Sequence, residues 1–406
     1  MTNDVLSGVG DGPFPHAAIS AALGREETQF EVVPGSELRQ AGSLTALLRD
    51  ARDPACTVFL KKVTAGLVAN KAWNDRRRVL LYIRNELRFY AEFADGLRQR
   101  GVDIPPAYFL SSSNLDGLEG YEEEPPPEML GDCGALMFLE PLADPARFHQ
   151  TSPLSPSQAS TLLEAAARLH AAAWQDAPTL ERAAARLQRH GGSFALSARN
   201  PKELANLADS WGRFAAAFAP AAPPGFFGRP EIAALGSRLQ AAAPWIAAQL
   251  SPAPSDPFAT LVHGDLKAMN AFLPRDHPDP DALLIDFAST GVGYGMADVA
   301  MHLCHALMPG DLRTHEADLL QRYLRFLDQP DYDPLLARRH YELATIDYGR
   351  FVLGRFWGAA SPDAFWEKRH KSNVALVHRN VPAALHFVER LDAYLAKYEG
   401  EISLIT

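Results

Sequence analysis

The stretch Thr260–Leu273 reads TLVHGDLKAMNAFL, and it places an imidazole, a carboxylate, an amine and an amide within eight residues of one another. These side chains belong to His263, Asp265, Lys267 and Asn270. They follow an apolar pair directly and are followed by a second apolar run. A solvated loop has no need of this set, whereas an active site does. The stretch is therefore the starting point for predicting both the fold and the chemistry.

A second aspartate follows at a defined distance. Asp265 and Asn270 have the spacing D-x-x-x-x-N, and Asp286 lies sixteen residues beyond Asn270, at the end of the apolar run ALLIDF. Two short strands around the turn PRDHPDPD, residues 274–281, predict a hairpin that returns Asp286 to the side of Asn270. Amide and carboxylate oxygens suit a hard cation such as magnesium. Asn270 and Asp286 are therefore predicted to form a magnesium site.

These residue types match the needs of phosphoryl transfer from ATP to a hydroxyl. That reaction needs a carboxylate to orient the hydroxyl and accept its proton, oxygen ligands for magnesium, and a cation on the phosphates. Asp265 is predicted to be the carboxylate. His263 is expected to brace the loop by hydrogen bonding or, alternatively, to take part in the chemistry. The competing interpretation of the whole motif is a capped turn followed by a hairpin.

The front of the chain offers the cation. The apolar run TVFLKKV ends in two lysines, and neighbouring strand residues face opposite sides, so Lys61 or Lys62 must point inward. Glu86 falls on the apolar face of a helix predicted over residues 71–100. A carboxylate on such a face requires a buried cation, which favours Lys61 as its partner. The alternative is that both residues lie at the surface.

Two residues outside the motif are expected to support it structurally. Asp298 is expected to cap the helix that follows it, because anionic side chains stabilise helix starts. His170 lies on the apolar stripe of a predicted helix that has Ser155 as N-cap. It is expected to be either a core histidine or a contact of the loop around Asp265.

The order of elements predicts an α+β fold. Residues 1–139 are predicted to form a β-rich N-terminal lobe with one long helix, preceded by a loose arm over residues 1–30. Residues 140–406 are predicted to form a mostly helical C-terminal lobe. The acidic, proline-rich segment around YEEEPPPE is expected to be a solvated loop. GVGYG, residues 291–295, lacks the pattern of a dinucleotide-binding motif and is expected to be a flexible turn.

Composition narrows the function classes. The chain has 406 residues and a formal net charge of −10, so a general nucleic-acid binder is not expected. Its three cysteines are widely spaced and form no metal or disulfide pattern. No signal peptide or membrane-spanning apolar run is apparent. The expectation is a cytoplasmic enzyme without membrane or nucleic-acid partners, and no protein partner is predicted.

The motifs resemble those of the aminoglycoside phosphotransferase and choline kinase-like superfamily, and the likeness looks closest to its ecdysteroid-kinase-like small-molecule kinases. The resemblance rests on VFLKK, NELRFYAE, LMFLEPL, LHAAAW, HGDLKAMN and LLIDFASTGVGYGMADVA. It implies a protein-kinase-like fold of two lobes, with ATP between them and magnesium. The implied roles are Asp265 as base, Asn270 and Asp286 as metal ligands, Lys61 with Glu86 on the phosphates, Lys267 on the γ-phosphate, and Phe138, Leu139 and Glu140 as the adenine hinge.

The sequence departs from the family pattern at three points. The nucleotide loop is expected near QAGSLTALL, where only Gly42 and Ser43 stand instead of a glycine-rich run. Ala288 replaces the glycine expected after Asp286 and Phe287. Eleven residues separate Asp286 from Asp298, which leaves little room for an activation segment and favours a small-molecule hydroxyl acceptor over a protein.

The acceptor pocket is the least defined part of the prediction. The segment IDYGRFVLGRFWG offers Asp347, Tyr348, Arg350 and Trp357, whose carboxylate and aromatic faces could hold an amine. The alternative is that these side chains form core at helical spacing. Two other function classes stay open: a catalytically silent nucleotide-binding pseudokinase with a regulatory role, and a metal-dependent hydrolase.

Overall fold

The computed structural model describes residues 5–8, 13–39, 42–142, 147–275 and 282–403. These residues form two compact units. The first contains the described residues up to Phe148 together with Ile285–Ala288. The second contains the described residues from His149 to Leu284 and from Ser289 onward. The predicted lobe boundary between residues 139 and 140 stays a prediction.

An antiparallel sheet forms the body of the first unit. Among the described residues its strand order is β1-β3-β4-β6-β5, and β2 pairs with the start of β3 on the same edge as β1, opposite β4. The strands are β1 (Phe30–Val32), β2 (Leu38–Arg39), β3 (Leu44–Asp50), β4 (Thr57–Thr64), β5 (Ala107–Ser113) and β6 (Gly134–Leu139). Side chains of β3 alternate between buried and half-buried positions, as expected for a strand with one face on a core.

The N-terminal part of the first unit differs from the loose arm expected over residues 1–30. Helix α1 (His16–Ala22) packs on the sheet, and Ile19 is fully buried there. Val5 is fully buried in the same core cluster. For the described residues the loose-arm prediction is wrong, because their apolar side chains complete the hydrophobic core of the sheet.

The long helix predicted over residues 71–100 forms as two helices. Helix α2 (Trp73–Glu92) ends at Phe93, and α3 (Ala94–Gln99) follows. The buried face of α2 also holds the Ile285–Ala288 segment in this unit. Phe287 stacks on Phe89 with ring centroids 4.0 Å apart, and the Asn85 amide donates to the Ala288 carbonyl oxygen at 3.1 Å.

The segment between β5 and β6 contains the acidic run YEEEPPPE, whose residues are mostly exposed, as expected of a solvated loop. It contains a 3₁₀ helix (Asp116–Gly120) and helix α4 (Pro127–Leu130). Its acids pair with arginines of α2, and the pairs are Arg76–Glu124, Arg84–Glu119 and Arg88–Asp116. The basic face of α2 attracts these carboxylates, so the segment is tied to the helix that carries Glu86.

The second unit is mostly helical. Its helices are α5 (Pro156–Ala172), α6 (Ala177–Arg186), α7 (Pro201–Ala205), α8 (Leu207–Phe218), α9 (Pro230–Ala233), α10 (Leu235–Gln249), α11 (Met296–Ala306), α12 (Pro309–Leu327), α13 (Pro334–Arg355), α14 (Pro362–Lys368) and α15 (Val381–Ser403). The predicted N-cap of α5 is confirmed. Ser155 accepts from the Gln158 backbone N–H, and the Gln158 side chain accepts from the Ser155 N–H, which completes a capping box.

Short strands frame the HGD turn, which we define as His263–Asp265. Strand β8 (Thr260–Val262) pairs antiparallel with β11 (Gly291–Gly293). The predicted flexible turn at residues 291–295 is therefore wrong for its first three residues. A Cβ on Gly291 would lie 2.2 Å from the Gln188 carbonyl oxygen, so the glycine allows a close backbone approach.

A hairpin follows the HGD turn, as the sequence predicts. Strand β9 (Ala271–Pro274) pairs antiparallel with β10 (Leu283–Leu284), and β7 (Phe148–His149) joins β9 on its other side. Residues 276–281 of the predicted hairpin turn lie outside the described residues.

The predicted α+β class, with one long helix in a β-rich first part and a mostly helical second part, is confirmed. Within the described part of the chain, no helix combines the length and the apolar character needed to span a membrane.

Candidate active site

The HGD turn has a backbone shape that only glycine accommodates at its centre. Gly264 has φ +78°, and a Cβ there would lie 2.1 Å from the carbonyl oxygen of Ser289. Both the positive φ and the close backbone neighbour exclude a side chain. The turn therefore projects Asp265 from a fixed point just beyond β8.

The Asp298 carboxylate fixes the HGD turn through two hydrogen bonds to its backbone. Its Oδ2 accepts from the His263 backbone N–H at 2.7 Å, and its Oδ1 accepts from the Gly264 N–H at 2.8 Å. Burial favours the protonated form, but the hydrogen bond from His170 and the other donors outweigh it and lower the pKa of Asp298 below its ordinary value. Asp298 lies in the first turn of α11, as expected of a capping residue, but its carboxylate bonds the HGD turn.

A hydrogen-bonded chain extends from Asp298 to α12. His170 Nε2 lies 3.0 Å from Asp298 Oδ2, and His170 Nδ1 lies 2.8 Å from the Tyr323 hydroxyl. His170 is thus both a fully buried core histidine and a support of the loop, which joins the two expectations for it. No local sequence pattern singles out Tyr323, because its partner lies 153 positions away along the chain.

The Asp265 carboxylate is held by its own loop. Lys267 Nζ lies 2.7 Å from Oδ2, and the Asn270 side-chain N–H donates to the same oxygen at 3.0 Å. Asn270 also donates to the Asp265 carbonyl oxygen at 2.8 Å. The Asp265 backbone N–H donates to His263 Nδ1 at 3.3 Å, a contact of the bracing kind. The structure therefore brings the four polar residues of the opening stretch together, with Lys267 and Asn270 on the Asp265 carboxylate and His263 on its backbone N–H.

The first unit contains a second charged cluster. Lys61 Nζ lies 2.6 Å from Glu86 Oε2 and 2.8 Å from Asp286 Oδ1. Lys62 points to the other side of β4, where its amine donates to the Ser7 carbonyl oxygen at 3.1 Å. Of the two lysines that the sequence left open, Lys61 is therefore the one that contacts Glu86.

Burial and charge act in opposite senses on this cluster. Burial would lower the pKa of Lys61, but the two carboxylates outweigh it and raise the pKa. Burial, together with the negative charge of Asp286, raises the pKa of Glu86 to about 7 against the opposing effect of Lys61. Lys61 is therefore a firmly protonated ammonium, held where a polyanion could replace part of its carboxylate contacts.

The predicted metal ligands have the donor atoms that magnesium requires. The Asn270 amide nitrogen is used on Asp265, which leaves its amide oxygen as the donor for a cation. The Asp286 side chain is 36% exposed, on a backbone with φ +67°. The β9–β10 register pairs Leu284 with Ala271, the residue after Asn270. The residues present fit magnesium, although no group of three or more His, Cys, Asp or Glu within the described residues forms a metal site by itself.

The residues predicted to contact the nucleotide lie on the sheet of the first unit. Gly42 and Ser43 precede β3 directly. Phe138 is fully buried in β6 and Leu139 ends that strand, while the Glu140 N–H donates to the Pro106 carbonyl oxygen at 2.9 Å. The hinge and nucleotide-loop roles stay predictions.

The predicted acceptor residues lie in the interior of the second unit. Arg350 pairs with Asp347 at 2.6 Å, and both are buried. Tyr348 is buried on the same helix, and Trp357 stacks on Phe214 with centroids 4.0 Å apart. The burial of all four side chains favours the core alternative, and the acceptor-pocket assignment stays a prediction. The Asp347 carboxylate is already neutralised by a buried cation, and Trp357 has no exposed face.

The fold and the HGD turn together define a class of protein, namely enzymes that transfer phosphoryl groups. The sequence profile described as the phosphotransferase enzyme family matches residues 73–337, more than half of the chain. The chain belongs to the phosphotransferase enzyme family. The predicted superfamily and the predicted enzyme class, a kinase of the phosphotransferase type, are confirmed, whereas the ecdysteroid-kinase-like branch stays a prediction.

Other comparisons are more distant. A search of curated protein sequences finds no match. An amicoumacin kinase solved with AMP-PNP, Ca²⁺ and amicoumacin is 12% identical, covers 89% of both chains and has a TM-score of 0.47. A microcompartment-associated aminopropanol kinase is 12% identical over 93% of this chain and 94% of that chain, with a TM-score of 0.41. The macrolide 2′-phosphotransferase from Brachybacterium faecium is 17% identical over 92% and 98%, with a TM-score of 0.39.

Proposed function

We propose that this protein transfers the γ-phosphoryl group of ATP to a hydroxyl group of a small molecule, with Asp265 as the base. The observation that carries the proposal is the Asp265 carboxylate, oriented by Lys267 and Asn270 on a turn that Gly264 and Asp298 hold rigid. A carboxylate held on a rigid turn in this way is suited to orient an attacking hydroxyl.

The two oxygens of Asp265 have different tasks in this proposal. Oδ2 accepts from Lys267 and Asn270, so its lone pairs are engaged. Oδ1 is the oxygen that takes the proton of the acceptor hydroxyl as the new oxygen–phosphorus bond forms. Lys267 neutralises the carboxylate in the resting protein and is proposed to move to the γ-phosphate when the nucleotide binds.

Phosphate binding is assigned to Lys61, with Glu86 fixing the direction of its ammonium. A raised pKa keeps that ammonium charged across the physiological range. Asn270 and Asp286 are the residues proposed to hold magnesium. When bound, magnesium neutralises charge on the phosphates and makes the γ-phosphorus easier to attack.

A small acceptor is favoured by the short connection between Asp286 and α11. Gly291–Gly293 pairs with β8, and α11 begins at Met296, so the segment has little free length to bind a peptide. The cytoplasmic location stays a prediction, as does a hydroxyl group of a small molecule as the acceptor.

The test uses ATP labelled with ¹⁸O in the γ-phosphate. The protein is incubated with magnesium and a metabolite extract, and mass spectrometry detects labelled phosphorylated products. Asp265→Asn is expected to abolish product formation while calorimetry shows magnesium–ATP affinity within about threefold of wild type, because the base acts on the acceptor and not on ATP.

The matched control is Asp318→Asn, the same substitution at an exposed position on α12. It is expected to form product at the wild-type rate. Product formation by Asp265→Asn at the wild-type rate would show that another group is the base. Tight magnesium–ATP binding by wild type, with neither a labelled product nor labelled free phosphate formed, would favour the pseudokinase.

A further inference from the structure

The second oxygen of the Asp265 carboxylate has a hydroxyl partner from elsewhere in the chain. Ser193 Oγ donates to Asp265 Oδ1 at 3.2 Å. The two residues lie 72 positions apart, so the contact is made by the fold and not by the loop. Lys267 and Asn270 hold Oδ2, and Ser193 therefore acts on the oxygen proposed to receive the proton.

Ser193 belongs to a segment, Gln188–Ala195, that runs along the HGD turn and β11. The Ser193 backbone N–H donates to the Gly264 carbonyl oxygen at 2.7 Å. The preceding N–H groups of Gly191 and Gly192 donate to Val292 and Ser289 at 2.8 and 3.0 Å. The backbone of the segment is thus bonded to β11, to Ser289 just before it and to the HGD turn, which fixes the position of the Ser193 Cα relative to Asp265.

The glycines of the segment make this close approach possible. A Cβ on Gly191 would lie 2.5 Å from Val262 Cγ2 and 2.8 Å from the Gly291 nitrogen. Such distances leave no room for a side chain. The segment is therefore built to lie directly against the HGD turn, at a separation that brings one hydroxyl to the carboxylate.

Two buried ion pairs anchor the other side of the segment. Arg199 Nη1 donates to the Ser193 carbonyl oxygen at 3.4 Å, and Arg199 is held by Glu203 at 2.7 Å. Arg350 donates to the Phe194 carbonyl oxygen and is held by Asp347. Each arginine is oriented by its own carboxylate. The carbonyl oxygens of Ser193 and Phe194 are therefore both fixed by charged donors.

We propose that Ser193 is a positioning residue that fixes the Asp265 carboxylate for proton transfer, through its hydroxyl on Oδ1. A carboxylate oxygen accepts more than one hydrogen bond, so Ser193 and the acceptor hydroxyl share Oδ1. Ser193 sets the rotation of the carboxylate plane, and the acceptor hydroxyl then meets an oxygen whose direction is already defined. The inference rests on the proposed role of Asp265 as base.

The test compares Ser193→Ala and Ser193→Thr with wild type and Asp265→Asn. Transfer is followed with γ-labelled ATP and magnesium, and the acceptor is water unless the extract identifies a better one. Ser193→Ala is expected to lower kcat about tenfold with KM for ATP changed by less than about twofold, because a hydrogen bond to a charged group is lost at the reacting carboxylate and not at the nucleotide. Ser193→Thr keeps the hydroxyl and is expected to retain kcat within about threefold of wild type.

Controls separate this role from a structural one. Ser237→Ala removes an exposed serine hydroxyl on α10 that donates to the Ala234 carbonyl oxygen, and it should leave kcat unchanged. If Ser193→Ala fails to fold, Ser193→Cys replaces it, since its thiol fills the space but donates weakly, and the same loss of kcat is expected.

The outcomes distinguish the two proposals. An inactive Asp265→Asn with a fully active Ser193→Ala overturns the role of Ser193 and leaves the base assignment intact. A Ser193→Thr variant as slow as Ser193→Ala also overturns it, because the hydroxyl would then not be the active feature. Wild-type protein without any transfer, or a fully active Asp265→Asn, overturns the proposed function and the inference that rests on it.

Discussion

Lys61 lies between two carboxylates, and its two contacts predict a specific effect on nucleotide binding. Lys61→Met is expected to weaken magnesium–ATP binding about tenfold or more, because it removes the proposed phosphate contact and leaves two anions near the phosphates. Lys62→Met is the matched control, since it changes the next residue of β4, whose amine contacts Ser7. Calorimetry measures both affinities. Equal losses in the two variants would contradict the assignment of Lys61.

The same substitution predicts a pH-dependent loss of stability. Burial already raises the pKa of Glu86 to about 7, and removal of Lys61 raises it further. A carboxyl group with a raised folded-state pKa destabilises the protein as pH rises above its unfolded-state pKa, since the native state then holds a proton that the unfolded state has released. In wild type the free energy of unfolding stops falling near pH 7, the pKa of Glu86 in the folded state. In Lys61→Met it continues to fall above pH 7, because the pKa of Glu86 is higher there.

Urea unfolding at pH 6 and pH 8 checks this expectation. The difference in free energy of unfolding between wild type and Lys61→Met should be larger at pH 8, approaching the cost of about 3–5 kcal/mol for breaking a buried ion pair. Adding Glu86→Gln to Lys61→Met should remove the pH dependence. A difference that stays constant from pH 6 to pH 8 would show that Glu86 does not titrate in this range.

At the scale of elements, the acidic segment predicts a salt-sensitive contribution to stability. Asp116→Asn, Glu119→Gln and Glu124→Gln together remove the three carboxylates paired with α2. These three carboxylates are more than half exposed, and an exposed ion pair contributes about 0.2–1 kcal/mol to stability. The free energy of unfolding of the triple variant should therefore be about 1–2 kcal/mol lower than that of wild type. The loss should shrink in 1 M NaCl, where charges are screened.

The same segment supplies its own control. Glu122→Gln, Glu123→Gln and Glu128→Gln remove three neighbouring exposed carboxylates and the same amount of charge. Urea unfolding of both triple variants separates specific pairing from net charge. An equal loss in the control triple would show that the arginine contacts of α2 contribute nothing beyond the overall charge of the segment.

At the scale of the whole molecule, buried histidines of the second unit predict loss of stability in acid. Burial lowers the pKa of His302 to about 4, of His340 to about 4 and of His378 to about 3. Below about pH 6.5 the unfolded chain binds protons that these native side chains do not, so the free energy of unfolding falls as pH falls toward 4. Each histidine contributes at most about 1.4 kcal/mol per pH unit in this window.

His302→Gln tests one of these contributions. Glutamine keeps a donor for the Ala159 carbonyl oxygen that His302 Nε2 contacts, and it cannot be protonated. The slope of the unfolding free energy between pH 6.5 and 4 should fall by up to about 1.4 kcal/mol per pH unit, the contribution of one proton. An unaltered slope in His302→Gln would mean that His302 takes up its proton in the native state.

Much of the frame around the site could be predicted from the sequence, because its signals are local. The HGD motif, the spacing to Asn270 and Asp286, and the apolar face around Glu86 lie on short stretches with recognisable periodicity. Ser193, Tyr323 and the arginine partners of the acidic segment could not be found this way. Their contacts join positions 28 to 153 residues apart and leave no pattern within a single element. The sequence also could not separate an acceptor pocket from core in the segment IDYGRFVLGRFWG, since buried and binding aromatics look alike at helical spacing.

The hydrogen bonds that connect Tyr323 through His170 to Asp298 have a consequence for the evolution of such an enzyme. The buried Asp298 carboxylate contacts the HGD turn and His170, and His170 in turn contacts the Tyr323 hydroxyl. A single base change that replaces Tyr323 by phenylalanine removes this hydroxyl without changing any residue proposed to contact the substrate. Lineages that retain every signature residue can therefore differ in turnover. Genes grouped as active by their motifs alone would then include weakened descendants, recognisable only at this remote position.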